Sequence, residues 1–185
     1  MNDGDTVAIS NNNIQSFSGA TAINLVDLGA DVDLTFEDND VDGDGSGSTA
    51  LAIASTGANV TISGGEINNT DGSHAIDIGD SPNVANGRVT VQNVTILNLG
   101  TAHNAINVAP GQTDNIVING VTVDSSPSAT GVFVDDASPD LEVTGTVIND
   151  TNVGVQINDV NLAVISDTVI DHSSGDRAIY VNDPG

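Results

Sequence analysis

The chain contains no cysteine, no lysine and no tryptophan. Without Cys there is no disulfide and no thiolate metal site, and composition carries no mark of a redox compartment. Without Lys, only Arg88 and Arg177 stand against 26 acidic residues, and the formal net charge is −24. A surface of that sign repels nucleic-acid phosphates and anionic bilayers, which excludes nucleic acid as a partner. No apolar run approaches the length of a membrane span, so no membrane insertion is expected. Met1-Asn2-Asp3-Gly4-Asp5 has neither the basic start nor the apolar run of a signal peptide. Aromatic residues are three Phe and one Tyr, so the core lacks bulky fillers. No dozen-residue window has helical apolar spacing free of Gly, Asn or Asp runs, which argues against helices.

What the chain does have is valine and isoleucine: 40 residues, against 8 Leu. Such β-branched side chains favour strands. They fall into a phrase repeated seven times, a small residue, an aliphatic, any residue, an aliphatic. The copies are Ala22-Ile23-Asn24-Leu25, Ala50-Leu51-Ala52-Ile53, Ala75-Ile76-Asp77-Ile78, Ala105-Ile106-Asn107-Val108, Gly131-Val132-Phe133-Val134, Gly154-Val155-Gln156-Ile157 and Ala178-Ile179-Tyr180-Val181. They begin 28, 25, 30, 26, 23 and 24 positions apart. Period-two alternation within each phrase predicts a strand, and recurrence in the twenties predicts a solenoid.

Two more elements recur before each phrase. The first is a short strand: Val7-Ala8-Ile9, Val32-Asp33-Leu34, Val60-Thr61-Ile62, Val89-Thr90-Val91, Ile116-Val117-Ile118, Leu141-Glu142-Val143 and Leu162-Ala163-Val164. The second is a lone aliphatic: Ile14, Val41, Ile67, Ile96, Val123, Ile148 and Ile170. It stands seven residues after the first strand begins in five coils, nine in coil two and eight in coil seven. Between the two lie Asn11-Asn12, Ser63-Gly64, Gln92-Asn93, Asn119-Gly120 and Thr144-Gly145, whose Asn and Gly tolerate the left-handed backbone a sharp corner needs. Each coil therefore has three short strands and three faces. Loop length varies on either side of the repeated phrase, where insertions in repeat proteins gather. The whole of residues 1–185 reads as a single domain, either complete or an excerpt of a longer chain.

The pattern from Val7 to Val181 resembles the right-handed parallel β-helix repeat proteins, the group that holds pectate-lyase-like enzymes, polygalacturonases, phage tailspikes and surface proteins. The resemblance implies an all-β, right-handed, three-sided parallel β-helix of about seven coils. It implies no single activity, because this scaffold hosts many. No amphipathic helix or polar turn closes either end of the repeat. Open coil ends predict self-association, or another protein, at those ends.

Four sets of residues are candidates for chemistry. Asp38-Asn39-Asp40-Val41-Asp42-Gly43-Asp44 matches the first half of a calcium loop, with oxygen ligands Asp38, Asp40, Asp42 and Asp44 at alternate positions. Thr49 stands where the bidentate Glu is needed, so a solvated acidic corner is the competing reading. Asn69-Thr70-Asp71-Gly72 resembles a polygalacturonase motif in which Asp71 is a catalytic carboxylate. The Asp-Asp, Gly-His-Gly and Arg-Ile-Lys motifs of those enzymes are missing, and glycoside hydrolysis needs a paired acid and base. An atypical enzymatic site would gather Asp71, His74, Asp77 and His103. Nor does the lyase type fit, since Arg88, in a loop, and Arg177, near the last strand, are not paired with a carboxylate cluster. His74 and His103, on adjacent coils, form a candidate metal pair without a third ligand.

The fourth set is the outward stripe of the third strands, where Asp77, Asn107, Phe133, Gln156 and Tyr180 follow Asn24 and Ala52. Amides and rings in one line suit a carbohydrate, through hydrogen bonds to hydroxyls and stacking on sugar faces. An ordinary solvated face is the alternative. The acidity itself has two readings: adaptation to molar salt, where repulsion is screened, or Ca2+ binding. Together these features lead to the expectation of a non-enzymatic structural or binding module of an extracellular surface, filament or virion fibre. The setting is salt-adapted, haloarchaeal or that of a haloarchaeal virus. The alternative is a polysaccharide lyase, hydrolase or epimerase acting on acidic glycans.

Overall fold

A computed structural model describes residues 4–17, 21–26, 32–43, 49–54, 58–68, 74–79, 87–100, 104–109, 115–124, 128–135, 140–171 and 177–182. Among them there are strands and no helix. Coil one is β1 (Thr6–Ser10), β2 (Asn13–Phe17) and β3 (Ile23–Val26). Coil two is β4 (Asp33–Glu37), β5 (Asp40–Gly43) and β6 (Leu51–Ala54). Coil three is β7 (Asn59–Ser63), β8 (Glu66–Asn68) and β9 (His74–Ile78). Coil four is β10 (Arg88–Gln92), β11 (Thr95–Leu97) and β12 (Asn104–Val108). Coil five is β13 (Asn115–Asn119), β14 (Thr122–Asp124) and β15 (Thr130–Asp135). Coil six is β16 (Asp140–Thr144), β17 (Val147–Asn149) and β18 (Val153–Asn158). Coil seven is β19 (Leu162–Ser166), β20 (Val169–Asp171) and β21 (Arg177–Asn182).

Each coil contributes one strand to each of three seven-stranded sheets, and every neighbouring pair is parallel. The fold is thus a three-sided parallel β-solenoid, as the repeat predicts. At about 4.8 Å per strand, seven coils stand roughly 30 Å tall. First strands make sheet A, second strands sheet B, and third strands sheet C. The inward side chains stack as like on like along the axis: Val60, Val89 and Ile116 in sheet A, Ile67, Ile96 and Val123 in sheet B, Ile76, Ile106 and Val132 in sheet C. All nine are buried, and each contributes roughly 1.5–3 kcal/mol of hydrophobic stabilisation.

The corner between sheets A and B is the most regular part of the molecule. A left-handed residue sits there in every coil, Asn11, Asp38, Gly64, Asn93, Gly120, Gly145 and Asp167, with φ between 50° and 64°, and coil three adds Gly65 at φ 73°. The first six donate their N–H to the carbonyl just before the left-handed residue of the next coil, on Glu37, Ser63, Gln92, Asn119, Thr144 and Ser166, at 2.8–3.2 Å. The backbone groups that a sharp bend takes out of the sheets are thereby satisfied. Asn39, 2 % exposed, braces this corner in coil two. Its Oδ1 accepts from the Asn12 N–H and Asn12 Nδ2, and its Nδ2 donates to the carbonyls of Ile9 and Glu37.

Three expectations need correction. The inward residues of strand one are Leu34 and Phe36 in coil two, paired with Val7 and Ile9, and Ala163 and Ile165 in coil seven, paired with Leu141 and Val143. The sequence-based strands Val32-Asp33-Leu34 and Leu162-Ala163-Val164 were thus offset. Measured from Leu34 to Val41 and from Ala163 to Ile170, the spacing is seven in these coils too, because the left-handed corner fixes it. Second, the repeated phrase does not alternate strictly. Its small residue and the next aliphatic are both buried, as in Ala75-Ile76 and Ala105-Ile106. The small residue sits at the bend where sheet C begins: a Cβ on Gly154 would lie 2.4 Å from Ile170 Cγ2, and one on Gly131 2.7 Å from Ile148 Cγ2. Third, Arg88 is not in a loop. It opens β10 and projects from the outer face of sheet A.

Candidate functional site

Two consecutive inward residues have an effect on the opposite face of sheet C. The residue before the pair and the one after it both point outward, so side chains three apart in sequence become neighbours on the surface. His74 and Asp77 flank Ala75-Ile76 this way, Asn104 and Asn107 flank Ala105-Ile106, Thr130 and Phe133 flank Gly131-Val132, and Arg177 and Tyr180 flank Ala178-Ile179. The outer face therefore carries two parallel rows, not one.

The first row is the stripe expected from the sequence. Asp77 pairs with Asn107, Asn107 with Phe133, Phe133 with Gln156 and Gln156 with Tyr180. Four strand steps separate the ends, about 19 Å. Asn107 does not stand free on this face. It is 8 % exposed, its Nδ2 donates to Asp77 Oδ1 at 2.8 Å, and its Oδ1 accepts from Asn104 Nδ2 at 3.0 Å. Its amide links Asp77 to Asn104 of the neighbouring row, and the side chains open to a ligand are Asp77, Phe133, Gln156 and Tyr180, all half-buried. At the far end the Arg177 guanidinium lies over the Tyr180 ring, Cζ 4.0 Å from the centroid. One face of that ring is therefore covered by a cation. Beside the stripe, Asn158 Nδ2 donates to Asp135 Oδ1 at 3.0 Å, which extends the polar surface by a further column.

The second row runs His74, Asn104, Thr130, Val153 and Arg177. The in-register neighbour of His74 on the next coil is thus Asn104. His103, Asp71 and Asp44 lie outside the described residues. Of the atypical enzymatic set, His74 and Asp77 are brought together, on one strand and facing the same way. Arg177 was placed near the last strand by its sequence position; it is the first residue of that strand and belongs to this face.

The acidic stretch of coil two divides at the corner. Asp38 occupies the left-handed turn, with its carboxylate packed over Gly64 of the next coil. Asp40 and Asp42 point outward from β5, and Asp40 Oδ1 accepts the Glu66 N–H at 3.1 Å. Together with Asn13, Gln15, Glu66 and Asn68 they line an open groove of about 210 Å³ on sheet B. Among the described residues no three His, Cys, Asp or Glu side chains converge closely enough to hold a metal ion.

Sequence reasoning missed one apolar feature. Leu162, Val164 and Val169, exposed by 55 %, 45 % and 57 %, project outward from coil seven. The seven-residue spacing back from Ile170 was the signal that finds them. Compared with protein families, curated proteins and solved structures, the chain matches none of them.

Proposed function

We propose that this protein is a non-enzymatic binding or structural module whose sheet C outer face holds a glycan. The observation that carries the reading is the register of Asp77, Phe133, Gln156 and Tyr180 on one face, with Asp77 held by the Asn107 amide. Carboxylate and amide oxygens and nitrogens suit sugar hydroxyls, and the Phe133 ring suits an apolar sugar face. A linear chain laid along the axis meets Phe133, Gln156 and Tyr180 at successive strand steps and Asp77 two steps beyond Phe133. The resemblance to pectate-lyase-like and tailspike-like β-helices supports a setting on a cell surface, filament or virion fibre. The charge of −24 supports a salt-adapted one. The inward side chains Ile179 and Val181 of coil seven are exposed, and we assign their cover to polypeptide, either further coils or a neighbouring molecule.

The test is a glycan array probed in molar salt with the protein and with a Phe133→Ala, Gln156→Ala variant. Binding to a defined polysaccharide that the variant loses supports the reading; no binding across neutral and acidic glycans sinks it. His74 and Asp77, side by side on β9, favour a second reading, a polysaccharide-active enzyme. New reducing ends or unsaturated products from acidic glycans, abolished by Asp77→Asn, would decide for it.

A further inference from the structure

The outer rows of sheets A and B are polar through most of the molecule. On sheet A one row runs Thr6, Asp33, Asn59, Arg88, Asn115, and the next runs Ala8, Thr35, Thr61, Thr90, Val117. In coil seven these same rows end in Leu162 and Val164, beside Asp140 and Glu142 of coil six. Around the Asp167 corner the outer row of sheet B ends in Val169, beside Val147. All three aliphatics face away from the solenoid axis. A further coil stacked on coil seven would cover Ile179 and Val181, and the outward aliphatics would lose part of their exposure yet still face solvent, as the half-buried outward Val117 and Val147 of coils five and six do.

We propose that this corner of coil seven docks a different polypeptide, an extended segment in which aliphatic side chains alternate with Lys or Arg. Leu162 and Val164 border a shallow groove of about 290 Å³ whose walls include Val117, Asp140 and Glu142. Asp167 and Asp171 stand exposed beside Val169. The aliphatics give an anchor that loses water on contact, and the surrounding carboxylates select cations at the rim. Arg88 also lines the groove and leaves it acidic on balance. A second copy of this chain is a poor occupant: it has no Lys and only two Arg to set against its own 26 acidic residues.

The proposal is tested with the intact chain and two labelled short peptides, one alternating Lys and Val, the other alternating Lys and Ser. Binding is read by fluorescence anisotropy at two salt concentrations. The Lys–Val peptide is expected to bind about tenfold tighter or more, because buried aliphatics add to charge. The triple variant Leu162→Thr, Val164→Thr, Val169→Thr is expected to bind both peptides alike. Its thermal midpoint should match that of the parent, since the three side chains face solvent, and Val169→Thr alone serves as a milder variant. Failure of the Lys–Val peptide to bind, equal binding of the two peptides to the parent chain, or unchanged binding to a folded variant would overturn the proposal. So would sedimentation showing that the parent self-associates and the variant does not, because a second copy would then be the occupant.

Discussion

Arg177 lies over the ring of Tyr180, three residues further along the same strand, with Cζ 4.0 Å from the centroid. In a regular strand, residues three apart face opposite ways. The inward-facing Ala178-Ile179 step brings these two to one face, and the corresponding step in coil four pairs Asn104 with Asn107 by a 3.0 Å hydrogen bond. The small residue of the repeated phrase thus shapes the outer surface as well as the core.

Tyr180 is the sole tyrosine and there is no tryptophan, so intrinsic fluorescence reports this one contact. Arg177→Ala is expected to change the Tyr emission of the folded protein without unfolding it. If Tyr180 takes part in glycan binding, Tyr180→Ala weakens it by about 0.5–1.5 kcal/mol, or roughly two- to twelvefold. Affinity electrophoresis on the glycan identified by array measures that loss.

Asn39→Ala removes four hydrogen bonds at a buried corner and leaves the Asn12 N–H without its acceptor, while the Glu37 carbonyl keeps the Asn11 N–H. The expected cost is about 2–4 kcal/mol. Denaturant unfolding in molar salt gives the value; a cost near zero would show that water replaces the amide.

At the last corner Asp167 has φ 50°. Asp167→Val puts a β-branched residue in the left-handed region and is expected to cost about 1–2 kcal/mol. Asp167→Gly, which fits that backbone, is expected to leave stability unchanged or slightly raised. The pair of unfolding curves separates backbone strain from loss of the carboxylate.

Self-repulsion among the acidic side chains predicts that the thermal midpoint rises from low salt to molar KCl, and equally in NaCl. Calcium at fixed ionic strength is expected to add no more than magnesium does. A calcium-specific rise that Asp40→Asn or Asp42→Asn removes would instead assign the sheet B groove to calcium.

The three-strand coil and the stripe from Asp77 to Tyr180 were readable because strand period and repeat length leave little freedom in register. Coil two misled because Val32, itself buried just before β4, precedes Leu34 at the spacing of an inward pair, and coil seven because the outward Leu162 and Val164 imitate one. The deciding residues were Asp38 and Asp167, left-handed corners written with Asp, which announces that backbone less clearly than Gly or Asn. In the stripe, membership followed from sequence alone. The burial of Asn107 and the capping of Tyr180 did not, since both depend on the irregular step before them.

The stacked construction has a mechanical consequence. Every coil is bonded to its neighbours along the axis, and the corner N–H of one coil is held by a carbonyl of the next. Tension applied between the chain ends therefore peels the terminal coil while the rest stays paired. A coil of roughly 25 residues releases about 80 Å of extended chain. Force–extension traces should show a staircase of such steps in place of one abrupt rupture, so that the protein yields gradually under load and shortens again coil by coil when the load is removed.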